Sequence, residues 1–464
     1  MRHIWLLVGL VACVNSPSRT ELIPLHDPPR ATSDVGLGLD VLVDHLVASL
    51  KTPAPRDRAY AIGVRSVRFL RNAEVRSEPR LDATKLGQVR SGTRSAIVRA
   101  QPGDGDCARW IAIAPRGWVC EDVLEPSEQP PSVTETVALD SVPADDRALV
   151  PGVYGVVRGA DVQAYSTKDD VAEGNGRVLD GPHSVRLVGG ATVDGVRYYR
   201  TSQGDLIEAT SIAHFSPSKF KGVVITDPDA MPAWVRRHDK PRDPILVRDA
   251  AGKITGKVAA RAVVTIAELS PDGKRARITD ADGDDGWVER RDLRATALTA
   301  PPAGTAADEK WFDVDVEQQV LVAYEGDKPV YATMISSGKY QHDTPAIIAR
   351  IASKHLTAHM VNPKGNERYS VADVPWTMYY DGNYALHTSY WHDGFGSVRS
   401  HGCINLSPRD ARVLYHWSSP DVPPGWTAVY GDAAHPGSLV RVRSRRVPDP
   451  AFRGYAKTLV AATD

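Results

Sequence analysis

The chain is poor in sulfur and has no excess of either charge. Its 464 residues include four cysteines and five methionines, and 56 Lys and Arg stand against 57 Asp and Glu. Without a surplus of one sign there is no whole-chain field to gather nucleic acid, which sets nucleic-acid binding aside. The apolar run at the start, Ile4 to Ala12, is too short for a bilayer-spanning helix, which needs roughly 20 residues. What remains is globular composition, and the length suggests about three domains.

Met1-Arg2-His3 followed by Ile4–Ala12 has the charged and apolar parts of an export signal (1–12). The run ends in Leu10-Val11-Ala12-Cys13, which resembles the bacterial lipobox. That resemblance implies lipid on Cys13, an envelope location and a membrane contact through the lipid. A plain secretory signal is the alternative. Residues 13–58 read as a tether with a possible helix. If Cys13 carries lipid and Cys107 pairs with Cys120, the remaining thiol is Cys403. An unpaired thiol in an oxidising compartment favours a catalytic role over an inert buried one.

Proline-rich linkers are expected at 126–147, with Pro126, Pro130, Pro131 and Pro143, and at 297–309, with Pro301 and Pro302. Between the tether and the second linker runs a weak repeat. Arg109–Ile113 leads to Gly117-Trp118-Val119 and Leu124, Arg197–Arg200 to Gly204, Leu206-Ile207 and Ile212, and Arg275–Ile278 to Gly286-Trp287-Val288 and Leu293. In each, glycine supplies a turn, an apolar pair starts a strand, and an aliphatic residue six positions on closes the core. The pattern resembles bacterial SH3-type modules, at 59–125, 148–215 and 216–296, the second being the poorest match because it lacks the Trp. The likeness implies contact with wall glycan or peptide; spacer domains that bind nothing are the alternative. A Cys107–Cys120 bridge would staple the first unit's hairpin, worth roughly 3 kcal/mol.

From Trp311 the pattern is strongly β. Phe312, Val314 and Val316 alternate with Asp313, Asp315 and Glu317, as on a half-buried strand. Trp376–Tyr380 meets an Asp381-Gly382 turn and returns through Leu386 to His387. Ser400-His401-Gly402-Cys403-Ile404-Asn405 follows, and Ser407 caps a helix with Pro408 at its first position and Asp410 completing the cap. Cys403 just upstream of a helix start, with a histidine nearby, is expected to favour its thiolate, with a pKa of roughly 3.5 to 7.5. The basic residues Arg441, Arg443, Arg445 and Arg446 read as a solvated tail.

His387 with Ser400-His401-Gly402-Cys403 and Asn405 resembles the signature of the L,D-transpeptidases, the YkuD-type catalytic domain, over 310–432, leaving 433–464 as an extension. Thr344-Pro345 falls where that family often has Thr-Pro-x-Gly, with Ile347 in place of the glycine. The fold expected is mainly β with α+β elements: tandem SH3-like barrels, then a β-rich YkuD domain with a short helix after the nucleophile. The resemblance implies a cell-envelope acyltransferase without metal or organic cofactor, acting on peptidoglycan stem peptides. Cys403 would attack the carbonyl joining an L-centre to a D-residue, His387 would move protons, and the Cys403 and Gly402 N–H groups would hold the oxyanion. Thr388 would orient His387 through its carbonyl or hydroxyl. His401 either joins the catalytic pair or shapes the turn, and Ser400 and Asn405 fix that turn. Susceptibility to carbapenem-type β-lactams follows from the same likeness.

His355 and His359 stand four apart, as on a helix face, with His342 and His392 near the loop, but no third ligand completes a zinc spacing. Trp376, Tyr379, Tyr380, Tyr390 and Trp391 either line a peptide groove or fill core. Two other functions compete: a peptidoglycan-binding lipoprotein with little or no catalysis, and a metal-dependent peptidase.

Overall fold

The computed structural model describes residue 60 and residues 63–461, except 104, 134–135, 142–148, 180 and 363–367. The export signal, Cys13 and the tether lie outside the described residues. Strands dominate, and no helix among the described residues is long and apolar enough to cross a membrane.

The three repeat units share one local path. In the first, Arg109–Ile113 pairs with Trp118–Cys120, one 3-10 turn (Glu121–Val123) follows, and Leu124–Ser127 returns. The second runs Val196–Thr201, Leu206–Glu208, Ala209–Ser211 and Ile212–His214; the third runs Arg275–Asp280, Asp285–Glu289, Arg290–Asp292 and Leu293–Ala295. The constant six-residue spacing is therefore one strand plus one tight turn. Leu206 is fully buried where the other units place Trp118 and Trp287, so the second unit forms this path without the indole. Cys107 and Cys120 are joined by a disulfide with Cα atoms 5.8 Å apart.

The C-terminal domain is built on a six-stranded sheet ordered Val223–Val224, Lys328–Met334, Val320–Glu325, Lys310–Asp315, Leu439–Arg443, Ile347–Arg350. Both faces are covered. Phe312, Val314 and Leu321 pack toward the helix Pro408–Trp417, while Trp311, Val322 and Tyr324 pack against Phe220, Trp234 and Phe395. Two expected boundaries change as a result. Residues 223–224, counted with the third module, pair with the edge strand of this sheet. Leu439–Arg443, counted as an extension, is an inner strand parallel to Lys310–Asp315.

The Asp313/Asp315 alternation therefore does not mark a wet face. Asp313, 2% exposed, accepts from Arg441 Nε at 2.7 Å and Arg443 Nε at 2.9 Å, and Arg443 also pairs with Asp315 at 2.8 Å. Arg441 and Arg443 are internal counter-ions of the sheet, not a solvated tail. A strand with charges on alternate positions reads as half-exposed only when its partners cannot be seen.

The other modules dock by strand pairing. Lys85–Val89 of the first unit pairs with Trp426–Tyr430, and a Cβ at Gly87 would lie 2.3 Å from the Trp426 ring, so only glycine permits that approach. His183–Val193 of the second unit runs parallel to Tyr369–Asp381 at Ser370 and Val371.

Candidate active site

A long hairpin positions the site. Ser353–Asn362 pairs with Tyr369–Asp381, which turns at Gly382 into Tyr384–Thr388, and Ile404–Leu406 lies parallel to that last strand. The register sets Leu386 opposite Ile404 and His387 opposite Asn405. Cys403 lies in the bend immediately before Ile404, which brings its sulfur to the Ala385 backbone, two residues from His387 along the same strand.

His387 is 3% exposed, and its Nδ1 lies 2.9 Å from the Thr388 carbonyl. A carbonyl only accepts, so Nδ1 carries the ring proton and Nε2 keeps its lone pair. Of the two expected ways for Thr388 to act, the carbonyl is the one used; its buried hydroxyl has no partner. Burial pushes the imidazole down to about 4, the Thr388 bond opposing it. Trp391 lies against the ring, with centroids 5.8 Å apart.

Cys403 is part-exposed, yet protein crowds its sulfur, which points to the Asn383 carbonyl at 3.6 Å. Burial pushes the thiol up to about 11, with the Ala385 backbone pulling the other way. The expected low pKa is overturned. Strand Ile404–Leu406 and the cap Ser407 separate the sulfur from the helix, whose field fades within a turn, and that cap already takes the Asp410 N–H. Burial of the neutral histidine removes the other source of stabilisation. The phenols of Tyr369 and Tyr379 are held above their usual range by burial and then by Cys403, which places both close to the sulfur.

The turn before the nucleophile is tightly bonded. Ser400 Oγ donates to the Cys403 carbonyl at 2.5 Å and accepts from Gly402 N–H at 3.1 Å. The Gly402 N–H is thereby committed, which argues against its expected oxyanion role. Gly402 has φ +114°, and a Cβ there would meet the Tyr384 ring at 2.6 Å, so both conformation and space demand glycine. Thr344 Oγ1 donates to the Gly402 carbonyl at 2.8 Å and accepts from Gly338 N–H at 2.9 Å. Ile347, in place of the family's glycine, starts a buried strand and leaves that tie intact.

The His401 ring contacts His342 and Tyr369, at 4.6 and 5.2 Å between centroids. His392 serves Asn405, with Nε2 3.0 Å from the amide. Gly394 N–H donates to His392 Nδ1. His355 and His359 lie on strand Ser353–Asn362, not a helix, so four residues separate them by about 13 Å. His355 reaches Ser353, and His359 reaches Ser370. Tyr380 and Tyr390 are core, Trp376 is 5% exposed, and Tyr379 and Trp391 border the site.

Asp410 departs from the expected capping box. Its carboxylate accepts from Gly222 N–H and Tyr331 at 2.7 Å and from Thr333 at 2.5 Å, tying the helix to the sheet and to the segment before the third unit. No sequence signal connects those positions, because all three donors come from remote strands and loops.

Residues 309–440 match the L,D-transpeptidase catalytic domain, YkuD. That stretch is a YkuD domain. Solved structures with similar folds include the catalytic domain of the Enterococcus faecium L,D-transpeptidase, at 25% identity over 29% of this chain and 98% of that one, TM-score 0.24. An L,D-transpeptidase from Mycobacterium smegmatis is 16% identical over 56% and 99%, TM-score 0.24. One from Xylanimonas cellulosilytica DSM 15894 is 21% identical over 31% of this chain, TM-score 0.21, and this chain spans 64% of its length, less than two thirds. No curated protein matches the chain. The YkuD match stops at residue 440, inside the inner strand that completes the domain's sheet.

Proposed function

We propose that the protein is an L,D-transpeptidase in which Cys403 is acylated by a peptidoglycan stem peptide and passes the acyl group to an amine, forming a cross-link. One observation carries the reading: Nδ1 of a buried, neutral His387 is spent on the Thr388 carbonyl, leaving Nε2 free as a base two residues along the strand from Ala385, whose backbone the Cys403 sulfur meets. As sulfur attacks the carbonyl carbon, its proton passes to Nε2, and His387 then gives it to the departing D-amino acid, leaving a thioester. The acceptor amine reverses the sequence, yielding its proton to His387 and expelling the sulfur. Proton transfer coupled to attack suits a thiol pushed up to about 11, which stays protonated until a carbonyl is in place. Among backbone donors, the Cys403 N–H remains the candidate for the oxyanion.

The test is incubation of purified protein with disaccharide-tetrapeptides and mass spectrometry of the products. Cross-linked dimers from the wild type but not from Cys403→Ala or His387→Ala are expected. Dimers from all three, or hydrolysis abolished by chelators, would refute it. A carbapenem should also add its mass to the wild type and not to Cys403→Ala. On the export and lipid reading, Cys13→Ser releases the protein from the membrane fraction. On the SH3-like reading, residues 59–296 carry affinity for purified sacculi.

A further inference from the structure

A cavity of about 580 Å³ opens where the second unit, the third unit and the loop Trp391–Arg399 meet. The chain is nearly neutral, yet this lining is not. Six cationic side chains, Arg158, Arg236, Lys240, Arg242, Arg261 and Arg399, face it against two carboxylates, Asp243 and Asp393. Asp393 is already taken, by Arg261 at 2.9 Å and by Ser218.

Arg236 is the most telling member. It is 4% exposed, and it donates to backbone carbonyls: Nε to Phe395 at 2.7 Å and Nη2 to Gly394 at 3.4 Å. Among the described residues no carboxylate pairs with it, and Arg294, Arg261 and Arg399 add like charge nearby. Burial first and these arginines second push its guanidinium down to about 10. A buried cation costs several kcal/mol unless something compensates it. The cavity it lines has the volume of a small-molecule site.

The cavity also adjoins the chemistry. Trp391 lines it and also lies against His387, with ring centroids 5.8 Å apart. An extended peptide crossing one indole needs roughly two or three residues, at about 3.3 Å each. We propose that this junction binds the carboxylate of a peptide whose reacting end lies on the Cys403 face. The inference rests on the transpeptidase reading and adds to it a reason for the upstream units: Arg236, Lys240, Arg242 and Arg261 come from the third unit and Arg158 from the second.

The experiment uses full-length Cys403→Ala protein and calorimetric titration with a stem-type tetrapeptide carrying a carboxylate two residues from the scissile bond, as the free acid and as the carboxamide at that position. The free acid should bind at least tenfold more tightly at low salt. Lys240→Glu/Arg242→Glu, which alters two exposed rim residues, should abolish that preference while leaving the melting temperature in place, and Arg236→Gln should weaken it. Equal affinities for acid and amide, no binding of either, or a preference that survives the rim reversal overturns the assignment. Carbapenem acylation of the wild type separates the two readings. An adduct without acid preference sinks the cavity alone, and no adduct sinks the transpeptidase reading.

Discussion

If Cys403 rests as a thiol, its alkylation should be slow at neutral pH and should climb steeply in alkali. With the thiol pushed up to about 11, about one molecule in 10,000 is ionised at pH 7. An ordinary cysteine near 8.5 has about one in 30 ionised, so iodoacetamide should react with Cys403 about 300-fold more slowly than with a free peptide thiol. The rate should rise about tenfold per pH unit up to pH 10. His387 leaves this unchanged above about pH 4, because its imidazole is neutral there. Cys403 is the free cysteine among the described residues, and alkylation of Cys403→Ala supplies the blank for Cys13. A plateau in rate below pH 8 would mean a preformed thiolate–imidazolium pair. It would refute the claim that proton transfer accompanies attack.

Other outcomes follow from the same geometry. His387 is buried and His392 half-buried, with pKa values pushed down to about 4 and about 3, below the unfolded value of about 6.5, so the unfolded chain takes up protons that the native one refuses. Their stabilisation is complete above about pH 6.5 and is lost as pH falls toward 4, about 3 kcal/mol for each. Urea titrations from pH 7 to 4 should show the midpoint falling, and His392→Gln should reduce the slope; a flat midpoint counts against burial of neutral rings. Asp410 works in the opposite direction, since burial raises it and its native form holds a proton more readily. Asp313→Ala leaves Arg441 and Arg443 without their shared carboxylate and should cost about 3 to 5 kcal/mol by chemical denaturation. A loss under 1 kcal/mol would restore the solvated-tail reading. Gly402→Ala should remove cross-linking with little change in melting temperature, because the clash with Tyr384 is confined to the nucleophile turn; retained activity would contradict it.

Much of the site was legible because its chemistry sits in short, contiguous strings. Asp381-Gly382 predicts the hairpin that delivers His387, Ser407-Pro408 predicts the helix start, and each repeat unit carries its own turn glycine and closing aliphatic. Such features depend on neighbours a few residues away, and local sequence determines them. Tertiary structure alone decided the ionisation of Cys403 and His387, because desolvation depends on what packs around a group and not on what adjoins it in the chain. It likewise turned Arg441 and Arg443 into internal partners of Asp313, gave the Asp410 carboxylate to Tyr331 and Thr333 while its N–H stayed with the Ser407 cap, and gathered Arg236, Arg261 and Arg399 around one cavity. Each of these joins charges or dipoles far apart in sequence, and a one-dimensional pattern has no term for the strand pairings that make them neighbours.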